Sequence, residues 1–226
     1  IPGGEISQIP EIIKAAREGH GFDLVGTCVG LVDEGAVLDG SLVEAGDVIV
    51  GLASTGIHSN GLTHARRILL EDASLGLDQR LSELGRTLGE ELLEPTRIYV
   101  NAVMPALREG LAISALCHVT SDGFLNLRRV NAPVGFEIEY LPDAPPIFDL
   151  IKTRGAVADA EMFRVYNMGI GFCVVCPPES VERVRHLAGE AACDSWVLGH
   201  CVADPKKTVN IRPKGLQGGD DGFILA

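Results

Sequence analysis

A loop rich in glycine and hydroxyl side chains separates a short apolar segment at 48–52 from an amphipathic segment that begins near Leu62. Its glycines allow backbone conformations that other residues avoid, and a helix beginning near Gly61 would direct unpaired N–H groups into the loop. Such a loop suits an anion such as phosphate. The alternative is a tight strand-to-helix connection capped by a polar side chain. The phosphate-binding residues predicted here are Ser54, Thr55, Gly56, Ser59, Asn60 and Gly61.

Two histidines are candidates for contact with a ligand, and one of them for proton transfer. His58 lies within the loop, and a loop histidine titrates near neutral pH, so it could donate to a substrate oxygen or act as a general acid. A hydrogen-bonded loop histidine without a catalytic role is the other interpretation. His118 and Thr120 end a predicted strand, where they could face the same cleft. A buried histidine is the alternative for His118.

Two further glycine-containing segments are candidates for ligand contact. Gly4 and Glu5 place a carboxylate beside flexible backbone, as a magnesium or amine contact requires. Helix capping is the alternative at that point. Asn167 begins the segment Asn-Met-Gly-Ile-Gly before a predicted strand, where a ligand could approach the backbone. A β-bulge is the alternative for this second segment.

The elements that must position these residues alternate between strand and helix from residue 47 onwards. This alternation predicts an α/β (α+β) fold over 47–226, with a mixed β-sheet flanked by helices. Residues 1–46 predict a helix after Pro10, a strand at 22–32 and a hairpin strand at 36–38. These elements are too few to bury a core, so we interpret them as a small remnant of a preceding domain. The glycine-rich tail after residue 214 is expected to be mobile.

Composition narrows the range of partners. The chain has 226 residues, with 19 Lys and Arg against 31 Asp and Glu, which gives a net charge of −12. Nucleic acid and anionic membranes attract clustered positive charge, so neither is an expected partner. No apolar segment is long enough to span a bilayer and no secretory leader is recognisable, which favours a cytoplasmic location.

The six cysteines lie mostly in apolar segments, which is typical of buried free thiols. Cys173 and Cys176, together with Cys193 and Cys201, form an alternative zinc set. However, a strand directs residues three apart to opposite faces. We therefore predict no metal ligand in the chain.

Five segments resemble the aminoimidazole ribonucleotide synthetase family, also called phosphoribosylformylglycinamidine cyclo-ligase. They occur in order along nearly the whole chain, at 3–5, 46–52, 54–61, 93–99 and 162–171. The most specific combination is Ser-x-Gly-x-His-Ser-Asn-Gly at 54–61, followed about 33 residues later by Glu-Pro-Thr-Arg-Ile-Tyr at 94–99. Either glycine loop alone would be a weak signal.

The resemblance implies ATP-dependent cyclisation of formylglycinamidine ribonucleotide to aminoimidazole ribonucleotide in purine biosynthesis, with ATP and Mg²⁺ as cofactors. It implies phosphorylation of the formyl amide oxygen, after which the amidine nitrogen closes the imidazole ring. It also implies a homodimeric full-length protein whose N-terminal domain holds most of the nucleotide and the magnesium. Residues 1–46 would then be the end of that nucleotide-binding and dimerisation domain, and the chain alone would be inactive.

The chain departs from the family pattern at two motifs. Ile6 replaces the threonine of Gly-Gly-Glu-Thr-Ala, and Asp122 replaces a glycine of His-x-Thr-Gly-Gly-Gly, where it would repel a phosphate unless it binds magnesium. Two other functions stay open. One is a different ATP-using enzyme of the same superfamily, such as formylglycinamidine ribonucleotide synthetase, thiamine-monophosphate kinase or selenophosphate synthetase, against which the segment at 94–99 argues. The other is a noncatalytic ribonucleotide-binding module.

Overall fold

An eight-stranded β-sheet organises Leu38–Ala226, the larger of the two units into which the chain divides. The computed structural model describes residues 3–4, 6, 13–14 and 21–226. All neighbouring strands are antiparallel except β5 and β8, which are parallel, so the sheet is mixed. The strands, in their order across the sheet, are β10 (Gly222–Leu225), β9 (Leu216–Gly219), β8 (Val209–Ile211), β5 (Val134–Ile138), β7 (Ser195–Ala203), β1 (Val48–Ala53), β6 (Ile170–Cys176) and β4 (Ala115–His118).

Helices cover both faces of this sheet. In the described part of the chain they are α1 (Leu62–Arg66), which continues as a π-helix (Arg67–Asp72), α2 (Leu88–Leu92), α3 (Val100–Arg108), α4 (Pro146–Gly155), α5 (Asp159–Val165) and α6 (Val181–Glu190). Short 3₁₀ helices lie at Glu34–Ala36, Gly123–Arg129, Pro178–Ser180 and Arg212–Lys214. Strands β2 (Arg80–Leu81) and β3 (Arg86–Thr87) form a separate two-stranded sheet.

The central strands β1 and β6 separate two hydrophobic cores. Successive side chains of a strand point to opposite faces. Ile49 and Val175 therefore join a core with α1, α4 and α5, whereas Val50 and Val174 join a second core with α3 and α6. Burial on both faces explains why these strands are continuous apolar runs in the sequence. The predicted α/β fold with a mixed sheet flanked by helices is confirmed.

The strand predicted at 22–32 is wrong, as is the hairpin strand at 36–38. Residues 21–33 have no regular secondary structure, and a 3₁₀ turn occupies Glu34–Ala36. An apolar, β-branched segment forms a strand only where a neighbouring strand supplies hydrogen bonds, and the described residues of Ile1–Val37 supply none. The helix predicted after Pro10 falls largely outside the described residues.

The tail is also more ordered than its glycine content predicted. Strands β9 and β10 pair as an antiparallel hairpin at the edge of the sheet. Leu216 and Phe223 are buried in the first core, which fixes the hairpin despite its three glycines. The expected mobility of this tail is therefore wrong.

The boundary between the two units lies nine residues before the predicted one, because the division falls after Val37 rather than after residue 46. Val43 is buried in the first core, and the backbone N–H of Gly46 donates to the carbonyl of Cys201 at 2.8 Å. Residues 38–46 thus belong to the larger unit. The interpretation of the N-terminal part as a remnant of a preceding domain stays a prediction. Among the described residues there is no helix with the length and apolar character needed to cross a membrane.

All six cysteines are free thiols, and they differ in accessibility. Cys173 lies in the first core and Cys176 in the second, on opposite faces of β6 as predicted. Burial raises the pKa of Cys176 and of Cys201 to about 12, and that of the partly buried Cys117 to about 11. Cys28 is exposed.

We therefore expect one thiol of the six to react rapidly with a disulfide reagent such as Ellman's reagent in the folded protein, because the thiolate is the reactive form. The remaining five should react only on unfolding. Stopped-flow thiol titration measures both phases, and Cys28→Ser should remove the fast one. A fast phase that persists in Cys28→Ser would contradict this assignment.

Candidate functional site

Three of the segments singled out in the sequence meet at one end of the two central strands. Ala53, the last residue of β1, pairs with Ile170, the first residue of β6, so the loop after β1 lies beside the turn before β6. The N–H of Ser54 donates to the carbonyl of Gly169 at 2.9 Å. Tyr99, the last residue of the segment at 94–99, donates its hydroxyl to the carbonyl of Ala53 at 3.0 Å.

Asn167 joins the loop to the turn before β6. Its side chain is buried, and Nδ2 donates to the carbonyls of Gly56 at 2.8 Å and Ile57 at 3.1 Å. Oδ1 accepts from the N–H of Gly169 at 2.9 Å. Both of its donor hydrogens and its acceptor are thus used inside the protein. Asn167, predicted as a ligand-binding residue, is therefore placed as a positioning residue that fixes the loop.

His58 is placed as an acceptor within the loop. Its Nε2 accepts from the backbone N–H of Thr55 at 3.1 Å, and the N–H of Arg97 lies 3.5 Å away. Burial, with the nearby charges of Arg97 and His118, lowers the pKa of His58 to about 4. The ring is neutral at pH 7, with its proton on Nδ1 because Nε2 accepts. This geometry favours a structural role over the general acid considered from the sequence.

The segment at 94–99 is hydrogen-bonded to the loop. Thr55 donates its hydroxyl to the carbonyl of Pro95 at 2.7 Å, and Arg97 Nη1 donates to the carbonyl of Ala192 at 3.0 Å. The Tyr99 hydroxyl lies so close to Gly171 that a side chain at this glycine has no room. The two motifs that make the sequence recognisable are therefore one hydrogen-bonded unit.

A charged cluster next to Gly56 was missed in the sequence. Arg86 binds Glu91 at 2.6 Å and Glu94 at 2.5 Å, and Glu91 is buried. Glu91 Oε1 would lie 3.7 Å from a Cβ at Gly56, so the cluster borders the loop. The available signal was the position of Arg86, directly before the capping box in which Thr87 and Glu90 begin α2.

An open cleft of about 410 Å³ lies on the other side of the loop. Of the loop residues predicted to bind phosphate, Ser59, Asn60 and Gly61 line this cleft, and Ser59 is exposed. Ser54 and Gly56 are buried and do not line it, and Thr55 faces Pro95 instead. The cleft is lined by Ser59, Asn60, Gly61, Leu62, Thr63, His64, Ser121, Asp122, Arg164 and Val165.

The far wall of the cleft is held to the loop by Asn60. Its Nδ2 donates to the carbonyl of Val165 at 2.8 Å, and its Oδ1 accepts from the Ser121 hydroxyl at 3.5 Å. Thr120 precedes that serine, is exposed, and accepts a hydrogen bond from the side chain of Asn126 through its carbonyl. Thr120 thus borders the cleft without lining it.

Three predicted residues remain, of which His118 does not line this cleft. Gly4 is exposed and belongs to Ile1–Val37, and Glu5 lies outside the described residues. His118 is exposed and packs edge-on against Phe172 at 4.6 Å between ring centroids. Within the described part of the chain, no three histidine, cysteine, aspartate or glutamate side chains are arranged to hold a metal ion.

Comparison with known proteins identifies related chains. Three curated relatives are named phosphoribosylformylglycinamidine cyclo-ligase. The one from Methanococcus vannielii is 43% identical over 197 residues, 87% of this chain and 54% of the relative. Those from Methanocaldococcus jannaschii and Methanopyrus kandleri are 43% and 45% identical over 203 and 202 residues, which cover 89% and 88% of this chain and 56% of each relative. The chain thus spans about half the length of the curated relatives it matches.

Among solved structures, a thiamine-monophosphate kinase from Stenotrophomonas maltophilia has a TM-score of 0.48 at 20% identity over 76% of this chain and 52% of the kinase, too low for any conclusion. The family model described as AIR synthase related protein, C-terminal domain, matches residues 44–212, which include the loop, the supporting segment and the Asn167 turn. The chain therefore belongs to the family of AIR synthase related proteins, of which it contains the C-terminal domain.

Proposed function

We propose that this chain is the C-terminal part of an ATP-dependent cyclo-ligase that converts formylglycinamidine ribonucleotide into aminoimidazole ribonucleotide in purine biosynthesis. The observation that carries the proposal is the contact between the loop at 54–61 and the segment at 94–99, through Thr55 with Pro95 and His58 with Arg97. The names of the curated relatives at 43–45% identity support the same activity.

The proposed reaction transfers the terminal phosphoryl group of ATP to the formyl amide oxygen. The amidine nitrogen then attacks that carbon, and the new carbon–nitrogen bond forms as the carbon–oxygen bond to phosphate breaks. The products are aminoimidazole ribonucleotide, ADP and phosphate. Such chemistry requires the protein mainly to position two anionic substrates and to offset developing charge.

In this proposal the chain supplies the site for the ribonucleotide phosphate. Ser59 is exposed at the cleft, and the N–H groups of Ser59 and Gly61 donate to none of the described residues. The first turn of the following helical segment adds further unpaired N–H groups. Together these donors suit a phosphate monoester.

We assign ATP and Mg²⁺ mainly to the part of the full-length protein outside these 226 residues, because the family resemblance implies a nucleotide-binding N-terminal domain and the chain covers 54% of the Methanococcus vannielii relative. Magnesium would offset the charge of the ATP phosphates. We further propose a cytoplasmic homodimer with neither nucleic acid nor membrane as a partner. The net charge of −12 and the six free thiols support this environment.

Ser59→Ala is expected to weaken the binding of ribose 5-phosphate about tenfold or more, because a hydrogen bond to a charged group contributes about 1.5–3 kcal/mol. Isothermal titration calorimetry measures the affinity. Ser82→Ala is the matched control, since Ser82 is also exposed and bonds only its neighbour Glu83. Unchanged affinity in Ser59→Ala would remove this serine from the phosphate site.

His58→Gln tests the neutral acceptor role. The folded-state pKa of about 4 lies below the ordinary 6.5, so His58 stabilises the fold above pH 6.5. That contribution is lost as the pH falls from 6.5 towards 4, where the folded ring would have to take up a proton. We expect the melting temperature of the wild type to fall over this range and that of His58→Gln to fall less from a lower starting value. An equal fall in both proteins would contradict the assigned pKa.

The isolated chain should not turn over its substrates, because positioning contributes roughly 7–11 kcal/mol to such reactions and the proposed ATP site is outside it. A coupled ADP-release assay compares the chain with a fusion to the preceding part of the Methanocaldococcus jannaschii relative. We expect turnover only in the fusion, with Ser59→Ala reducing it. Turnover by the 226 residues alone would show that these residues themselves hold the nucleotide.

A further inference from the structure

Arg164 presents a fixed positive charge to the cleft at Ser59–Gly61. Its Nε and Nη2 donate to Glu161 at 2.8 and 2.7 Å, one turn back on α5. Its Nη1 donates to none of the described residues. A guanidinium has five N–H donors, so the pair with Glu161 leaves three of them available to a ligand. Half of the Arg164 side chain is exposed, and an ion pair this exposed contributes little stability by itself.

The position of Arg164 relative to the loop is set by its two following residues. The carbonyl of Val165 accepts from Asn60, and the ring of Tyr166 lies so close to Gly61 that a side chain there would be 2.6 Å from its Cε1. The Tyr166 hydroxyl also bonds His64 Nδ1 at 3.2 Å. The guanidinium and the free N–H groups of the loop therefore belong to one packed unit.

The charges around the cleft are few. Its lining contains one acid, Asp122, and one permanently charged base, Arg164. Outside the lining, Glu161 pairs with Arg164, and Arg129 lies 3.9 Å from Asp122. Without Arg164 the lining would carry a net negative charge that opposes an anion. With Arg164 the lining is balanced, and the N–H groups favour an anion.

A second cleft of about 590 Å³ adjoins the first one, and the two share Asp122 and Arg164 in their linings. Arg128, Arg129 and Lys207 line this second cleft, opposed by Asp220 and Asp221. Arg164 therefore lies at the junction, where a ligand larger than phosphate has room on either side.

We propose that Arg164 binds the phosphate group of a sugar phosphate held at Ser59–Gly61, and that Asp122 lowers the affinity of this subsite. The inference rests on the proposed function, which it extends by a residue that the sequence did not reveal. Arg164 is a binding residue in this assignment, with its unpaired Nη1 available to a phosphate in the cleft that it lines with Ser59, Asn60 and Gly61.

Three single variants test the assignment by titration with ribose 5-phosphate and with inorganic phosphate in metal-free buffer, using calorimetry on the 226-residue chain. Arg164→Gln should lower the affinity for both about tenfold or more. Asp122→Asn should raise the affinity several-fold, because it removes the negative charge from the cleft lining. The fold should tolerate this change, since the Asp122 side chain makes no helix-capping hydrogen bond. Arg183→Gln should change nothing, although Arg183 makes the same kind of two-bond pair with Glu109, at 2.8 and 2.5 Å.

Equal affinity in Arg164→Gln and the wild type overturns the proposal, and so does an equal loss in Arg164→Gln and Arg183→Gln. If Arg164→Gln fails to fold, as judged by circular dichroism, Asp122→Asn decides, because unchanged or weaker binding there overturns the proposal. The fusion protein separates this inference from the proposed function. If Ser59→Ala reduces turnover of the fusion but Arg164→Gln leaves both KM and kcat unchanged, the role of Arg164 is wrong and the proposed function stands. If Arg164→Gln weakens phosphate binding but the wild-type fusion shows no turnover, the assignment of Arg164 is supported and the proposed cyclo-ligase activity is contradicted.

Discussion

The antiparallel pairing of β1 with β6 at the centre of the sheet is the constraint on which the site depends. Because the two strands run in opposite directions, the loop that follows β1 must lie beside the turn that precedes β6. Asn167 converts this proximity into a fixed conformation by bonding the carbonyls of Gly56 and Ile57. Both strands are buried on two faces, so the conformation rests on the most protected part of the fold.

Hydrogen-bond satisfaction divides the polar residues of the site into two groups. Asn167 uses Oδ1 and both Nδ2 hydrogens on backbone partners, and His58 accepts a backbone hydrogen bond at Nε2, so both shape the loop. Ser59 and Arg164 keep donors that are not used within the described protein, and both face the cleft. A buried polar group must be paired to avoid a large free-energy cost, whereas an exposed one stays available to a ligand. The buried Ser54 Oγ fits neither group, because it has no hydrogen-bond partner among the described residues.

The electrostatics of the cleft are compatible with the proposed binding of an anion by an acidic protein. The net charge of −12 acts over the whole surface and is screened by salt within about 10 Å. Asp122 is the one acid in the lining beside Arg164 and the N–H groups of the loop, and Glu161 pairs with Arg164 from outside the lining. Arg129 lies 3.9 Å from Asp122 and offsets part of its charge, so the substitution of a glycine by an acid in this motif is tolerated locally.

The sequence by itself determined the α/β class, the central strands and the loop, because hydrophobic periodicity and glycine placement are local properties. It could not show that Asn167 binds the loop or that Ser54 is buried outside the cleft lining, since both depend on which strands become neighbours. It also missed Arg164, which is far from Ser59 in sequence. The strand predicted at 22–32 and the mobile tail were wrong for a related reason. Strands and hairpins are stabilised by neighbouring strands and by buried side chains such as Phe223. Only the tertiary structure decides whether a segment has such neighbours.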